Sequence, residues 1–103
     1  MNSQQWNAAP QSVFDRSILL HHSMNDPALA QEVLGLFLQQ LEALASKEWA
    51  NLDLNFEMHT LKGSAATIGA MELAELARNW REIGPELQKQ VKVAIAAFEQ
   101  AAR

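Results

Sequence analysis

Cysteine is absent from the 103 residues of this chain. There is therefore no disulfide framework and no thiolate to act as nucleophile or metal ligand. That absence fits a reducing compartment. Tyrosine is absent too, and only four glycines and three prolines punctuate the sequence. Scattered glycines form neither a GxxxxGK[ST] loop nor a kinase glycine-rich loop, so the chain has no means of cradling a nucleotide. Any phosphoryl chemistry must use phosphate delivered by another protein, and the chain is not expected to be an enzyme in its own right. Uninterrupted apolar stretches are short, as in Leu36-Phe37-Leu38, whereas a membrane span needs roughly 20 residues. The N-terminus lacks the basic-then-apolar order of a secretory signal. A cytoplasmic protein with no membrane attachment is expected. Net charge is −4, and the basic stripe that marks nucleic-acid binding is missing.

What is present is helical periodicity. The length suits one domain, and 49% apolar residues suffice for a single core. Residues 1–11 are polar and carry only Trp6 as a packing residue, so they read as a loose arm before a domain at 12–103. A short helix is expected over Ser12 to Met24, with Val13, Phe14, Ile18 and Leu19 on its apolar side. Asn25-Asp26-Pro27 is a start signal, with Asp26 as cap and Pro27 in the first turn. The helix it opens should reach Ser46 on a stripe of Leu29, Val33, Phe37, Leu41 and Leu44. Leu34, Leu36 and Leu38 widen that stripe and predict burial on more than one side.

After a connection around Lys47 to Leu52, a third helix should span Asp53 to Ile68. Its core seam is Leu54, Met58, Leu61, Ala65 and Ile68, and Gly69 is placed to end it in a left-handed cap. A helix over Met71 to Ile83 follows, with Leu73, Leu76, Ala77, Trp80 and Ile83 inward. Gly84-Pro85 breaks the chain, and a last helix from Pro85 to Ala102 carries Leu87, Val91, Ala94, Ile95 and Phe98. Strand alternation is missing throughout. The expected fold is all-α: an antiparallel up-down-up-down four-helix bundle with a short additional N-terminal helix. Such a bundle buries its own core and is expected to be monomeric.

The third helix has an unusual outer face. With about 100° per residue, His59 points away from the seam, and Leu52, Asn55, Phe56, Lys62, Gly63 and Ala66 share its side. Lys62 and Gly63 lie three and four residues after His59, the spacing of neighbours on a helix surface. His59 could be an ordinary exposed histidine and Lys62 an ordinary solvated charge. Gly63 needs a further reason, because glycine in a helix interior costs about 1 kcal/mol relative to alanine. Gly63 lies opposite the seam, so close approach by a partner supplies that reason better than internal packing. Leu52 and Phe56 around it then read as a docking surface. Imidazole titrates near neutrality and presents two distinct nitrogens. Lys62 can hold phosphoryl oxygens by charge-assisted hydrogen bonds.

The stretch His59-Thr60-Leu61-Lys62-Gly63-Ser64-Ala65-Ala66-Thr67-Ile68-Gly69-Ala70 resembles the signature of histidine phosphotransfer (HPt) domains. Val13-Phe14-Asp15, Asn25-Asp26-Pro27 and Leu34-Gly35-Leu36-Phe37-Leu38 resemble the family's opening helices, so the likeness covers most of the chain. It implies a four-helix bundle that takes a phosphoryl group from one receiver-domain aspartate and passes it to another. It implies that Nε2 of His59 carries the group, that Lys62 assists, and that Gly63 admits the receiver. The implied partners are response-regulator receiver domains and a hybrid sensor kinase. The implied Mg²⁺ comes with the receiver, so the chain itself needs no cofactor or metal. One departure stands out. Members often carry a glutamine 22 residues after the histidine, where this chain has Arg81. Arginine cannot accept the imidazole N–H, so Arg81 would instead meet the phosphoryl group or an acidic receiver, or be a plain exposed charge.

Other candidates carry less. His21 and His22 are adjacent and point to different sides of a helix, which suits surface or packing roles rather than metal binding. No histidine follows a glutamate by three residues, so the paired Glu-x-x-His of a di-iron bundle is excluded. Thr60 and Ser64 lack a base arrangement for nucleophilic catalysis. Trp80 reads as core, and Trp49 as packed under the connection before the site helix. The competing functional class is a non-phosphorylated helical interaction module using the same exposed apolar face. Such an adaptor has no need of His59, Lys62 and Gly63 together.

Overall fold

The computed structural model describes residues 13–103, all of them in helices, 3₁₀ turns and their connections, with no strand among the described residues. The arm expected at residues 1–11, with Trp6, lies outside them.

Caps set the helix boundaries. Helix α1 runs Arg16–His22. It starts later than the apolar pattern suggested, because Asp15 is the N-cap: its carboxylate accepts from the Ser17 N–H at 3.1 Å and the Ser17 hydroxyl at 2.6 Å. Phe14, just before the cap, is buried. Helix α2 runs Pro27–Ser46, with Asp26 accepting from the N–H groups of Ala28 and Leu29 and Pro27 opening the first turn, as its sequence predicts. Helix α3, Leu54–Ile68, is capped by Asp53 through the Phe56 N–H and closed by Gly69 at φ 92°. The helix expected over Met71 to Ile83 is two: α4, Met71–Arg78, and α5, Trp80–Ile83. Asn79 leaves helical geometry between them (φ −99°, ψ 21°), and its amide donates back to Glu75 at 3.1 Å. The last helix, α6, runs Leu87–Ala102. Gly84 sits at φ 70°, ψ −137°, and Gly84–Glu86 form a 3₁₀ turn, so Pro85 belongs to the turn and not to the helix.

Helices α2, α3, α4 and α6 pack as a ring in chain order, each against the next and α6 back against α2. Helix α1 lies against α2 and α3. A ring of four amphipathic helices closes on one core, which is the helical bundle expected. Phe98 is fully buried at its centre, 4.8 Å from the Phe14 ring and 5.2 Å from the Phe37 ring between centroids. The tilted and edge-on geometries are those that aromatic quadrupoles favour. The α6 stripe of Leu87, Val91, Ala94, Ile95 and Phe98 is buried throughout, as is the α3 seam from Met58 to Ile68. Leu54, expected in that seam, is half-buried.

On α2 the buried line is Ala30, Leu34, Phe37, Leu41 and Leu44. Leu29 and Val33 are half-buried, and Leu36 is 62% exposed. Each step of four residues turns a stripe by about 40°, whereas alternating steps of four and three hold it in line. The alternating set therefore forms the buried line, with Val33 and Leu38 packed partly against the core on its flanks and Leu36 left outside. Trp80, read as core, is half-buried at the start of α5 and packs against the edge of the core. Trp49 is buried beneath the connection before α3, as expected, and its indole N–H donates to the Leu44 carbonyl at 3.2 Å.

The open end of α1 is tied down from two sides. The Asp15 N–H donates to the Gly69 carbonyl at 2.8 Å. Arg16 donates to the Ala101 carbonyl at 2.9 Å, where a cation suits the C-terminal end of α6.

Candidate functional site

Met58, Leu61 and Ala65 are fully buried, and their burial fixes the rotation of α3. That rotation puts His59 and Lys62 outside, with Asn55, Phe56, Gly63 and Ala66 also exposed. Phe56 is 62% exposed, a large apolar ring offered to solvent on the turn before His59. Leu52 departs from the expected pattern: it is half-buried and packs against the core.

The exposed face has two flanks of different character. Toward α4 and α5, Asn55, Met58, His59 and Lys62 face Ala77, Arg78 and Trp80 across a small cleft of about 100 Å³. Toward α2, Gly63, Ser64, Thr67 and Ile68 face Val33, Leu36, Phe37 and Gln40 across a broader groove of about 350 Å³. The first flank carries the imidazole and the cations. The second carries the glycine and exposed apolar surface.

Gly63 is open. Among the described residues, a Cβ built there meets nothing within 4 Å outside its own helix. The internal structure therefore does not require glycine at this position. Gly35 on α2 has the same freedom, so open space alone assigns no role. Gly63 differs by lying one turn from His59 at the edge of the groove.

The ring of His59 has no hydrogen-bond partner among the described residues, and Lys62 has no ion pair among them. Arg81, which stands where relatives often carry glutamine, does not reach for the imidazole. Its guanidinium lies over the Trp80 ring, 4.9 Å from the centroid, and is 3.4 Å from Oδ1 of Asn55. Asn55 is four residues before His59 on the same face, so Arg81 is brought beside the site from the next helix. The hydroxyls of Ser64 and Thr67 donate to the Thr60 and Gly63 carbonyls at 3.1 and 3.0 Å. Both are spent on their own helix.

Arg78 was not singled out in the sequence. It lines the His59 cleft while donating to both carboxylate oxygens of Glu75. Hydrogen bonds from Arg78, then from Asn79, and then the charge of Arg78 hold the Glu75 carboxyl below its ordinary range. Leu36, which completes the groove beside Gly63, was read only as a widening of the core stripe. Neither residue is near the motif in sequence, and only the packing of α2 and α4 on α3 reveals them. His21 and His22 are exposed on α1, with His22 Nδ1 3.1 Å from the Ile18 carbonyl.

The Hpt domain family matches the chain over residues 28–102. The chain belongs to the Hpt domain family. No curated protein and no solved structure matches it. Membership gives this Hpt domain a phosphotransfer role in two-component phosphorelays and receiver domains as the class of partner. Members of the family carry phosphate rather than catalyse its release from nucleotides. No helix among the described residues is long and apolar enough to cross a membrane.

Proposed function

We propose that this Hpt domain is a relay intermediate that accepts a phosphoryl group on His59 from one receiver-domain aspartate and yields it to another. The neutral Nε2 lone pair forms the N–P bond as the aspartyl O–P bond breaks, and the receiver's carboxylate leaves. The ring keeps its proton on Nδ1, so the product is an imidazolium and a good leaving group. The step reverses when a second carboxylate attacks. Lys62 neutralises the phosphoryl oxygens. Mg²⁺ arrives with the receiver. Asn55, Phe56, Gly63 and Ala66, with Leu36 across the groove, form the surface on which the receiver lies. Arg81, resting on Trp80 and Asn55, faces an acidic receiver at its rim. A hybrid sensor kinase and a separate response regulator are the donor and acceptor.

The observation that carries this reading is the exposure of His59 at the mouth of a cationic cleft, beside a glycine that the fold does not need. Incubation with a phosphorylated receiver domain tests it. The expected product is acid-labile, base-stable phosphate on the chain, mapped to His59. His59→Gln should keep the fold, because the side chain is exposed, and should abolish uptake. Uptake at His21 or His22 would overturn the assignment. Receiver binding with no phosphate uptake would favour the non-phosphorylated interaction module.

A further inference from the structure

We infer that Arg78 is a second phosphoryl-binding cation, held in reserve by Glu75 until His59 is loaded. The inference rests on His59 as the phosphoryl carrier and adds a residue and a control to that site.

Three cations stand around this face: Lys62, on the site helix, and Arg78, at the end of α4, line the His59 cleft, while Arg81 on α5 reaches only its Asn55 and Trp80 edge. Their partners differ. Lys62 has no ion pair among the described residues, and Arg81 rests on a neutral amide and an indole ring. Arg78 alone of the three is paired to a carboxylate, that of Glu75, while it lines the cleft. The Asn79 amide holds the same carboxylate. Glu75 is therefore an anion at neutral pH, fixed on Arg78 and masking its charge.

The pair is poorly suited to a structural role. Both side chains are more than half exposed, at 60% and 56%, and they are three residues apart on one helix. Exposed pairs of this kind add little stability. The same exposure makes partner exchange cheap. A phosphoryl group on His59 brings three acceptor oxygens and negative charge into the cleft that Arg78 lines, whereas Glu75 is not part of that lining. Guanidinium binds phosphate oxygens in a planar, two-pronged fashion, as it binds carboxylate. Arg78 can thus turn from Glu75 to the phosphoryl oxygens without leaving its helix.

The consequence is a longer-lived phosphohistidine. Spontaneous loss passes through a loose, metaphosphate-like state in which charge leaves the phosphoryl oxygens. A cation on those oxygens therefore holds the loaded state more firmly than the transition state. Glu75 opposes this by competing for Arg78.

The test uses the full chain loaded with phosphoramidate, from which ammonia leaves, and follows phosphohistidine decay without any receiver. Arg78→Gln should shorten the half-life about two- to fivefold, the range an exposed pair can supply. Arg78→Lys should recover part of it. Glu75→Gln should lengthen the half-life, and the double variant should decay like Arg78→Gln alone. Equal decay in all four, or a Glu75→Gln effect that persists without Arg78, would overturn the inference while leaving His59 as the carrier. A folded wild-type chain that takes no phosphate on His59 would overturn both.

Discussion

Gly63 lies within α3 and Gly69 caps it six residues later, and the fold constrains the two positions very differently. At Gly69 the fold dictates glycine twice over. The backbone is left-handed at φ 92°, and a Cβ would fall 2.2 Å from the Asp15 carbonyl oxygen. At Gly63 the backbone is ordinary helix and a Cβ would meet open space. The end of α3 is thus a joint, where α1 is bonded to the helix through the Asp15 N–H and the Gly69 carbonyl. The middle of α3 is a platform. Its buried side is fixed by Met58, Leu61 and Ala65, and its outer side, with His59, Lys62 and Gly63, is unconstrained by the other described residues. Gly63 is thus a residue whose identity the described fold does not explain and for which the proposed receiver contact supplies a reason.

That contrast breaks most easily at the joint. Gly69→Ala should cost about 2–4 kcal/mol, from the left-handed strain and from displacement of Asp15. Urea unfolding measures it, and an unchanged midpoint would show that the joint is not a constraint. Asp15→Ala should cost about 0.5–2 kcal/mol through loss of the α1 cap, without touching phosphate uptake. On the platform the sign reverses: Gly63→Ala should leave stability unchanged or raise it by up to about 1 kcal/mol. The smallest effect belongs to Glu75. Its lowered pKa means that any stabilisation from the Arg78 pair is present above the ordinary carboxylate range and fades as pH falls through the lowered value. Glu75→Gln should therefore narrow the difference between neutral and acid stability.

The platform was legible in the sequence because its three residues lie within one turn of one helix, where spacing alone sets geometry. The α6 stripe was legible for the same reason, with Gly84-Pro85 marking where it begins. Three things were not. The buried line of α2 depends on a choice between interleaved apolar sets, and Leu29 with Val33 lost to Ala30 with Leu34 because only the latter stays in register. The break at Asn79 carries no proline or glycine, and with it went the half-exposed position of Trp80. Arg78 and Arg81 reach the site across helices, so their placement follows from packing rather than from sequence distance. Asp15 was missed as a cap because the apolar pattern from Val13 placed it inside the helix, although aspartate is a favoured N-cap residue.

The sharpest measurement is phosphoryl transfer from a receiver domain to Gly63→Gln, made beside its unfolding free energy and its loading by phosphoramidate. Glutamine is a better helix former than glycine, and its side chain has open space to enter. The expected result is a fold at least as stable as wild type, normal loading of His59 by the small donor, and transfer from the receiver slowed about tenfold or more. Transfer at the wild-type rate by a stably folded Gly63→Gln chain would contradict the claim that Gly63 serves the partner.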